Sequence, residues 1–171
     1  MGHPMKRVCT ICARGGSKGV PNKNIRQMVG KPLIGHSILQ AQSSGLFEAI
    51  AVSSDSMKIL DISKKFGADY SILRPPELAS DSAPKLPAIQ HCVNEVETLS
   101  GENFDVIVDL DVTSPLRITK DIEGAVRLLE EKNVSNVITG CPARRSPYFN
   151  LVERDEMGYA RLSKPPEKTI T

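Results

Sequence analysis

The chain has 171 residues, 40 % hydrophobic and 25 % charged, which is about one ordinary globular domain and excludes a disordered or fibrous chain. No apolar run reaches the ~18–20 residues needed to cross a bilayer, and Met1 to Arg7 lacks the apolar centre of a signal peptide, so the reading is a cytoplasmic protein without a membrane partner. Net charge is only +2, but Met1 to Phe47 holds no acid while carrying Lys6, Arg7, Arg14, Lys18, Lys23, Arg26 and Lys31, which marks an anion-binding segment on an acidic body.

Apolar runs alternate with helix-period segments. Val8 to Ala13 reads as a strand, and Pro32 to Ser43 as a helix with Ile34, Ile38 and Ala41 inward. Ala49 to Ser53 reads as a second strand. Asp55 is placed as the cap of a helix over Ser56 to Phe66, which Gly67 ends. Tyr70 to Leu73 is a third strand, Pro84 to Leu99 a helix, and Phe104 to Leu110 a fourth strand. Asp121 to Lys132 follows as a helix, and Val134 to Thr139 as a fifth strand. Beyond Cys141, Tyr148 to Val152 and Tyr159 to Leu162 read as a β-hairpin about Asp155 to Gly158. The alternation predicts a three-layer α/β domain over 5–141 with a mostly parallel central sheet, followed by a hairpin element and tail over 142–171. Ligands of such sheets bind at the carboxyl ends of the strands, so the segments after Ala13, Ser53, Leu73 and Leu110 should surround one crevice.

Cysteine chemistry carries little weight. Cys9, Cys12, Cys92 and Cys141 are too sparse for a disulfide scaffold. Cys9 and Cys12 have CxxC spacing, but on a strand residues three apart face opposite sides and do not share an ion.

The first motif with chemistry is Ala13-Arg14-Gly15-Gly16-Ser17-Lys18-Gly19-Val20-Pro21-Asn22-Lys23-Asn24, directly after the first strand. Its glycines permit a tight turn that brings backbone N–H groups close to an anion. Arg14, Lys18 and Lys23 add three positive charges, enough to offset much of a triphosphate. It is neither a dinucleotide-binding fingerprint nor a P-loop. Glycines, not aromatic residues, separate the cations, which favours a compact phosphate over nucleic acid. The second motif is Asp109 and Asp111, which at i and i+2 on a strand share one side and suggest Mg²⁺ near a phosphate loop.

The Gly-rich segment resembles the signature of the CMP-sialic acid synthetases (acylneuraminate cytidylyltransferases). The similarity continues in Val52-Ser53-Ser54-Asp55, in Arg74-Pro75-Pro76-Glu77-Leu78-Ala79-Ser80-Asp81-Ser82, and in Asp109-Leu110-Asp111-Val112-Thr113-Ser114-Pro115-Leu116-Arg117. The resemblance implies a nucleotide-diphospho-sugar transferase-like (Rossmann-like) fold and transfer of CMP from CTP, with Mg²⁺, to an acidic nonulosonic acid such as sialic or legionaminic acid. It implies a CTP site of Ala13, Arg14, Gly15, Gly16, Ser17, Lys18, Lys23 and Asn24, with Arg14 and Lys23 facing the phosphates and Arg74 and Ser82 near the cytosine. Where Asp111 stands the family usually has a sugar-associated Gln, so Asp111 contacts the sugar beside Thr113 and Ser114, binds metal with Asp109, or acts as a base. Family members continue beyond the point matching Thr171, and Tyr148 to Leu162 matches the start of their dimerisation element, which implies a homodimer. The alternatives are a nucleotidyltransferase of the 3-deoxy-octulosonate type, or a non-catalytic nucleotide-binding and dimerisation fragment.

Overall fold

A computed structural model describes residues 5–17 and 19–164. They form two compact units, one ending at Val137 and the other beginning at Ile138.

The first unit is built on strand β1 (Arg7–Cys12), whose Val8, Cys9, Thr10 and Ile11 are fully buried. A run without polar alternation suits a parallel strand covered on both faces. After β1 come a single 3-10 turn (Lys23–Ile25) and a small hairpin of β2 (Gln27–Met28) and β3 (Lys31–Pro32). Helix α1 (Leu33–Ser44) leads to β4 (Ala49–Ser54), and α2 (Met57–Lys65) to β5 (Tyr70–Leu73). A 3-10 turn (Pro76–Leu78) and α3 (Lys85–Ser100) precede β6 (Val106–Asp109), and α4 (Thr119–Lys132) follows it.

The four long strands are parallel in the order β5-β4-β1-β6, with Val8 opposite Ala49 and Thr10 opposite Asp109. Side chains of β1 alternate between two apolar layers. Val8 packs with Ala49, Ala51 and Ile72 against Cys92, Val93 and Val96 of α3. Cys9 and Ile11 pack with Ile50 and Val52 against Ile34 and Ile38 of α1, Ile59 and Leu60 of α2, and Ile122 of α4. Cys9 and Cys12 therefore lie on opposite faces, and all four cysteines are free thiols. Gly35 lets α1 approach α2 closely: a Cβ there would stand 2.8 Å from the Phe66 ring.

Two readings of the sequence need correction here. Residues 134–139 form no strand: Val134 is 43 % and Ile138 87 % exposed, and no described strand pairs with the segment. Three apolar residues among Ser, Asn and Thr are too few to cover two faces, and α4 packs on α1 instead of covering a further strand. The two compact units divide between Val137 and Ile138, within this segment. Asp55 does not cap α2. Ser56 takes the cap position without a side-chain bond, and the Asp55 carboxylate serves the Gly-rich loop.

The second unit holds the hairpin of β7 (Val152–Arg154) and β8 (Ala160–Leu162), with Val152 opposite Leu162. Tyr148 to Asn150 is a turn, not the start of a strand. The Asp155 carboxylate organises the hairpin loop by accepting from Tyr159 N–H at 2.9 Å, Met157 N–H at 3.1 Å and Arg161 Nε at 2.6 Å. The Arg161 bond, foremost, and those backbone bonds hold Asp155 below the usual carboxylate pKa.

Candidate active site

Strands β4 and β5 lie to one side of β1 and β6 to the other, so the chain reverses its lateral progress between the loops after β1 and β6. Such a switch point opens a crevice at the carboxyl ends of the strands. A cleft of about 550 Å³ sits there, lined by Arg14, Ser17, Lys23 and Asn24 from the first loop, by Arg74, and by Lys85, Asp111 and Thr113 from the far wall.

The Gly-rich loop is fixed at its root. Ala13 N–H donates to the Ser53 carbonyl at 2.9 Å and Gly15 N–H to Asp55 Oδ1 at 2.7 Å. Asn24, only 6 % exposed, donates through Nδ2 to the Arg14 carbonyl at 2.9 Å and closes the loop on itself. A Cβ on Gly15 would stand 3.0 Å from Ser56 Cβ, so the loop lies close against the start of α2. The N–H groups of Ala13 and Gly15 thus serve the protein, and donors for an anion must come from the other N–H groups of the loop and from side chains. The Lys23 ammonium has no carboxylate partner among the described residues. Arg14 reaches Asp81 Oδ1 at 2.6 Å and the Ser80 carbonyl at 3.2 Å. Lys18 lies outside the described residues.

Arg74 is the unusual group. It is 6 % exposed, and its Nε and Nη2 donate to Ser53 Oγ at 3.0 Å and the Ser53 carbonyl at 2.9 Å. No carboxylate pairs with it among the described residues. A buried cation without a counter-ion is costly to fold around. Arg74 lines the cleft, where a ligand acceptor atom would compensate its charge. Cys12 lies beside it on the cleft floor; burial, chiefly, pushes its thiol up to about 11, so it stays protonated near neutrality.

On the far wall Lys85 Nζ stands 2.5 Å from Asp109 Oδ2 and 2.6 Å from Asp111 Oδ1. Asp109 Oδ1 accepts from the buried Thr10 hydroxyl at 3.1 Å. Arg117 fixes the segment that follows: it bonds the Asp111 carbonyl, Ser37 Oγ and Gln40 Oε1, while Gln40 Nε2 donates to the Pro115 and Arg117 carbonyls. Burial pulls the Arg117 pKa down. No group of three or more His, Cys, Asp or Glu side chains converges on a common point among the described residues. Two carboxylates already bonded to an ammonium do not fit a resident Mg²⁺, which takes free oxygen ligands in near-octahedral array.

The structure brings Arg14, Ser17, Lys23, Asn24, Arg74, Asp111 and Thr113 to one cleft. Ala13, Gly15 and Gly16 shape the loop without lining the cavity, and Asp109 sits behind Lys85. Ser82 bonds Ser80 Oγ at 3.4 Å, and it is Ser80 that borders the cavity; Ser114 donates its N–H to the Asp111 carbonyl outside the wall. The sequence reading missed Lys85, Asp81 and Arg117. Lys85 left a signal: a cation in the first turn of a helix opposes the helix dipole and needs acids to hold it.

A cytidylyltransferase family profile matches residues 8–151. The "CMP-N,N'-diacetyllegionaminic acid synthase" of Campylobacter jejuni subsp. jejuni serotype O:2 is 47 % identical over 146 residues, 85 % of this chain and 62 % of that protein. The "Post-translational flagellin modification protein B" of Campylobacter coli is 45 % identical over 146 residues, with the same coverage. The chain therefore spans 62 % of the length of these relatives. A solved structure, CMP:2-keto-3-deoxy-manno-octonic acid synthetase complexed with CTP, matches in fold with a TM-score of 0.60 at 23 % identity, over 75 % of this chain and 48 % of that one. With most of its length matched by the profile, and with a cation-lined cleft at the switch point of its sheet, the chain belongs to the cytidylyltransferase family.

Proposed function

We propose that the protein carrying this chain transfers CMP from CTP to an acidic nonulosonic acid of the sialic or legionaminic type, releasing pyrophosphate. The observation that carries this reading is the cleft wall of Arg14, Lys23 and buried Arg74, three cations of which two have no carboxylate partner among the described residues. The legionaminic synthase relative supports the acceptor class. The anomeric hydroxyl of the acceptor attacks the α-phosphorus, the new O–P bond forms, and the bond to pyrophosphate breaks. Arg14 and Lys23 stabilise the charge that gathers on the leaving group. Arg74 takes the acceptor edge of the cytosine. Asp111, with Thr113 beside it, orients the acceptor and receives the hydrogen bond of the attacking hydroxyl.

Mg²⁺ carried in with CTP would supply charge neutralisation of the triphosphate oxygens beside Arg14 and Lys23. A homodimer is part of the reading: the hairpin unit exposes Phe149 at 82 %, Met157 at 80 % and Tyr159 at 62 %, side chains that a second subunit would cover. We place the protein in the cytoplasm, where CTP is made and where its four free thiols stay reduced.

Thermal melting with CTP, UTP, ATP or GTP, each with and without Mg²⁺, tests the reading. A ligand at ~100 times its dissociation constant adds about 2.7 kcal/mol, which melting resolves. A rise with CTP alone is the expected result. An equal rise with all four nucleotides, or none with CTP, overturns the cytosine assignment.

A further inference from the structure

Asp109 and Asp111 project from one side of a strand end, which is how a protein presents two carboxylates to a divalent ion. In this fold the space between them holds the ammonium of Lys85, 2.5 Å from one carboxylate and 2.6 Å from the other. Each element that brings these groups together is firm. Asp109 ends β6, is paired with β1, and is bonded through its second oxygen to buried Thr10. The Asp111 backbone is held by Ser37 and Arg117. Lys85 opens the 16-residue helix α3 directly after Pro84. A lysine in that first turn faces the positive end of the helix dipole, so its position is unfavourable without the two acids. Burial pulls the Lys85 pKa down, but the hydrogen bonds and charges of Asp109 and Asp111 outweigh it and leave a net rise, so the side chain is a cation at any working pH.

We propose that Lys85 is the resident cation of the Asp109–Asp111 pair: it fills the seat a divalent ion would take, excludes such an ion from that seat, and sets Asp111 as a hydrogen-bond acceptor on the cleft wall. Lys85 is thereby a positioning residue that acts through Asp111. With one ammonium to two carboxylates the cluster keeps one net negative charge. That charge suits the hydroxyl donors of a polyol and repels a second phosphate chain from this wall. A divalent ion has to break two charge-assisted hydrogen bonds to enter.

The test needs neither nucleotide nor acceptor, so its outcome does not depend on the transferase reading. Mn²⁺ is titrated into the 171-residue chain and the free ion is followed by electron paramagnetic resonance. The wild-type chain and Lys85→Arg should show only the weak background of surface acids. Lys85→Met should gain one site, tighter than that background by about tenfold or more, because a unit charge within ~4 Å of the ion has been removed. Adding Asp111→Asn to Lys85→Met should abolish it. Lys85→Gln provides a second charge-removing variant, and thermal melts show that each is folded. A tight Mn²⁺ site in the wild-type chain that Asp111→Asn removes would overturn the proposal. So would the failure of both folded Lys85→Met and Lys85→Gln to gain a site.

Discussion

Two contacts between a cation and acid border the same cleft, and they are built differently. Arg14 reaches from one loop to Asp81 on another, with 37 % of one side chain and 45 % of the other exposed. Such a pair is worth ~0–1 kcal/mol. A triphosphate would offer the same guanidinium paired oxygens of higher charge, so under the proposed function the loop cation would exchange Asp81 for a ligand at small cost. Lys85 instead runs from a helix start to two acids at a strand end, one of them anchored to the sheet centre by Thr10. There one cation serves two anions, and no single incoming anion displaces both. The contrast assigns different tasks to the two walls. Under the proposed transfer the loop wall would trade its partners for phosphates, and the strand wall would keep its own charges in place to present Asp111.

The largest expected effect breaks the loop wall. Arg14→Ala or Lys23→Ala should slow pyrophosphate release from CTP by ~10²–10³-fold, the scale of a lost charge-stabilising donor. A coupled pyrophosphate assay with CTP and N-acetylneuraminate or a legionaminic acid reads it. Near-wild-type rates in both variants would remove this loop from the chemistry and leave the comparison without its first half.

A smaller effect sharpens the notion of exchange. Asp81→Asn removes the charge that Arg14 must leave behind when it turns to phosphate. CTP binding, followed by calorimetry, should tighten by a factor of ~2–5, the value of an exposed ion pair. The salt dependence of binding should also change, since one competing surface charge is gone. An unchanged affinity at low salt would mean that Arg14 keeps its Asp81 contact in the complex.

The comparison also explains what the sequence could and could not reveal. The central strands β1 and β4 were legible because strands buried on both faces carry mostly apolar runs such as Val8 to Ile11, broken only by Thr10, and Ala49 to Val52. The loop cations were legible because Arg14 and Lys23 stand among glycines directly after a strand. Lys85 showed only its unfavourable place at a helix start, because its meaning rests on two acids twenty-four and more positions away that only the crossover from α3 to β6 brings near. The role of Asp55 was misread for the same reason: an acid before a helix looks like a cap, and its bond to Gly15 is visible only once β1 and β4 lie side by side. The segment 134–139 was read as a strand from three apolar residues, although a strand needs a neighbour to pair with, which local pattern does not report.

The smallest expected effect concerns how the loop wall is set. The Gly-rich loop and its 3-10 turn run into the β2–β3 hairpin, whose two-residue turn is Val29-Gly30 with φ of 48° and 76°. Such a turn requires positive φ at both positions, which Asn and Gly tolerate and a β-branched residue does not. Val29 is 87 % exposed, so it gains little packing in return. The hairpin is tied to α1 by Leu33 N–H donating to the Arg26 carbonyl at 2.9 Å and by His36 Nε2 at 2.8 Å from the Met28 carbonyl. Val29→Asn should therefore stabilise the chain by about 1 kcal/mol, the cost of holding an L-residue in this region. For a chain of this size that is a rise of roughly 2–4 °C in Tm. The instructive measurement is CTP affinity in the same variant. An affinity equal to wild type makes the strain at Val29 a local cost with no bearing on the cleft. A weaker affinity at higher Tm makes the strained hairpin part of what aims Lys23 and Asn24, and the loop wall then owes its geometry to stored backbone strain. The strand wall needs no such device, because the sheet and two helices already hold it.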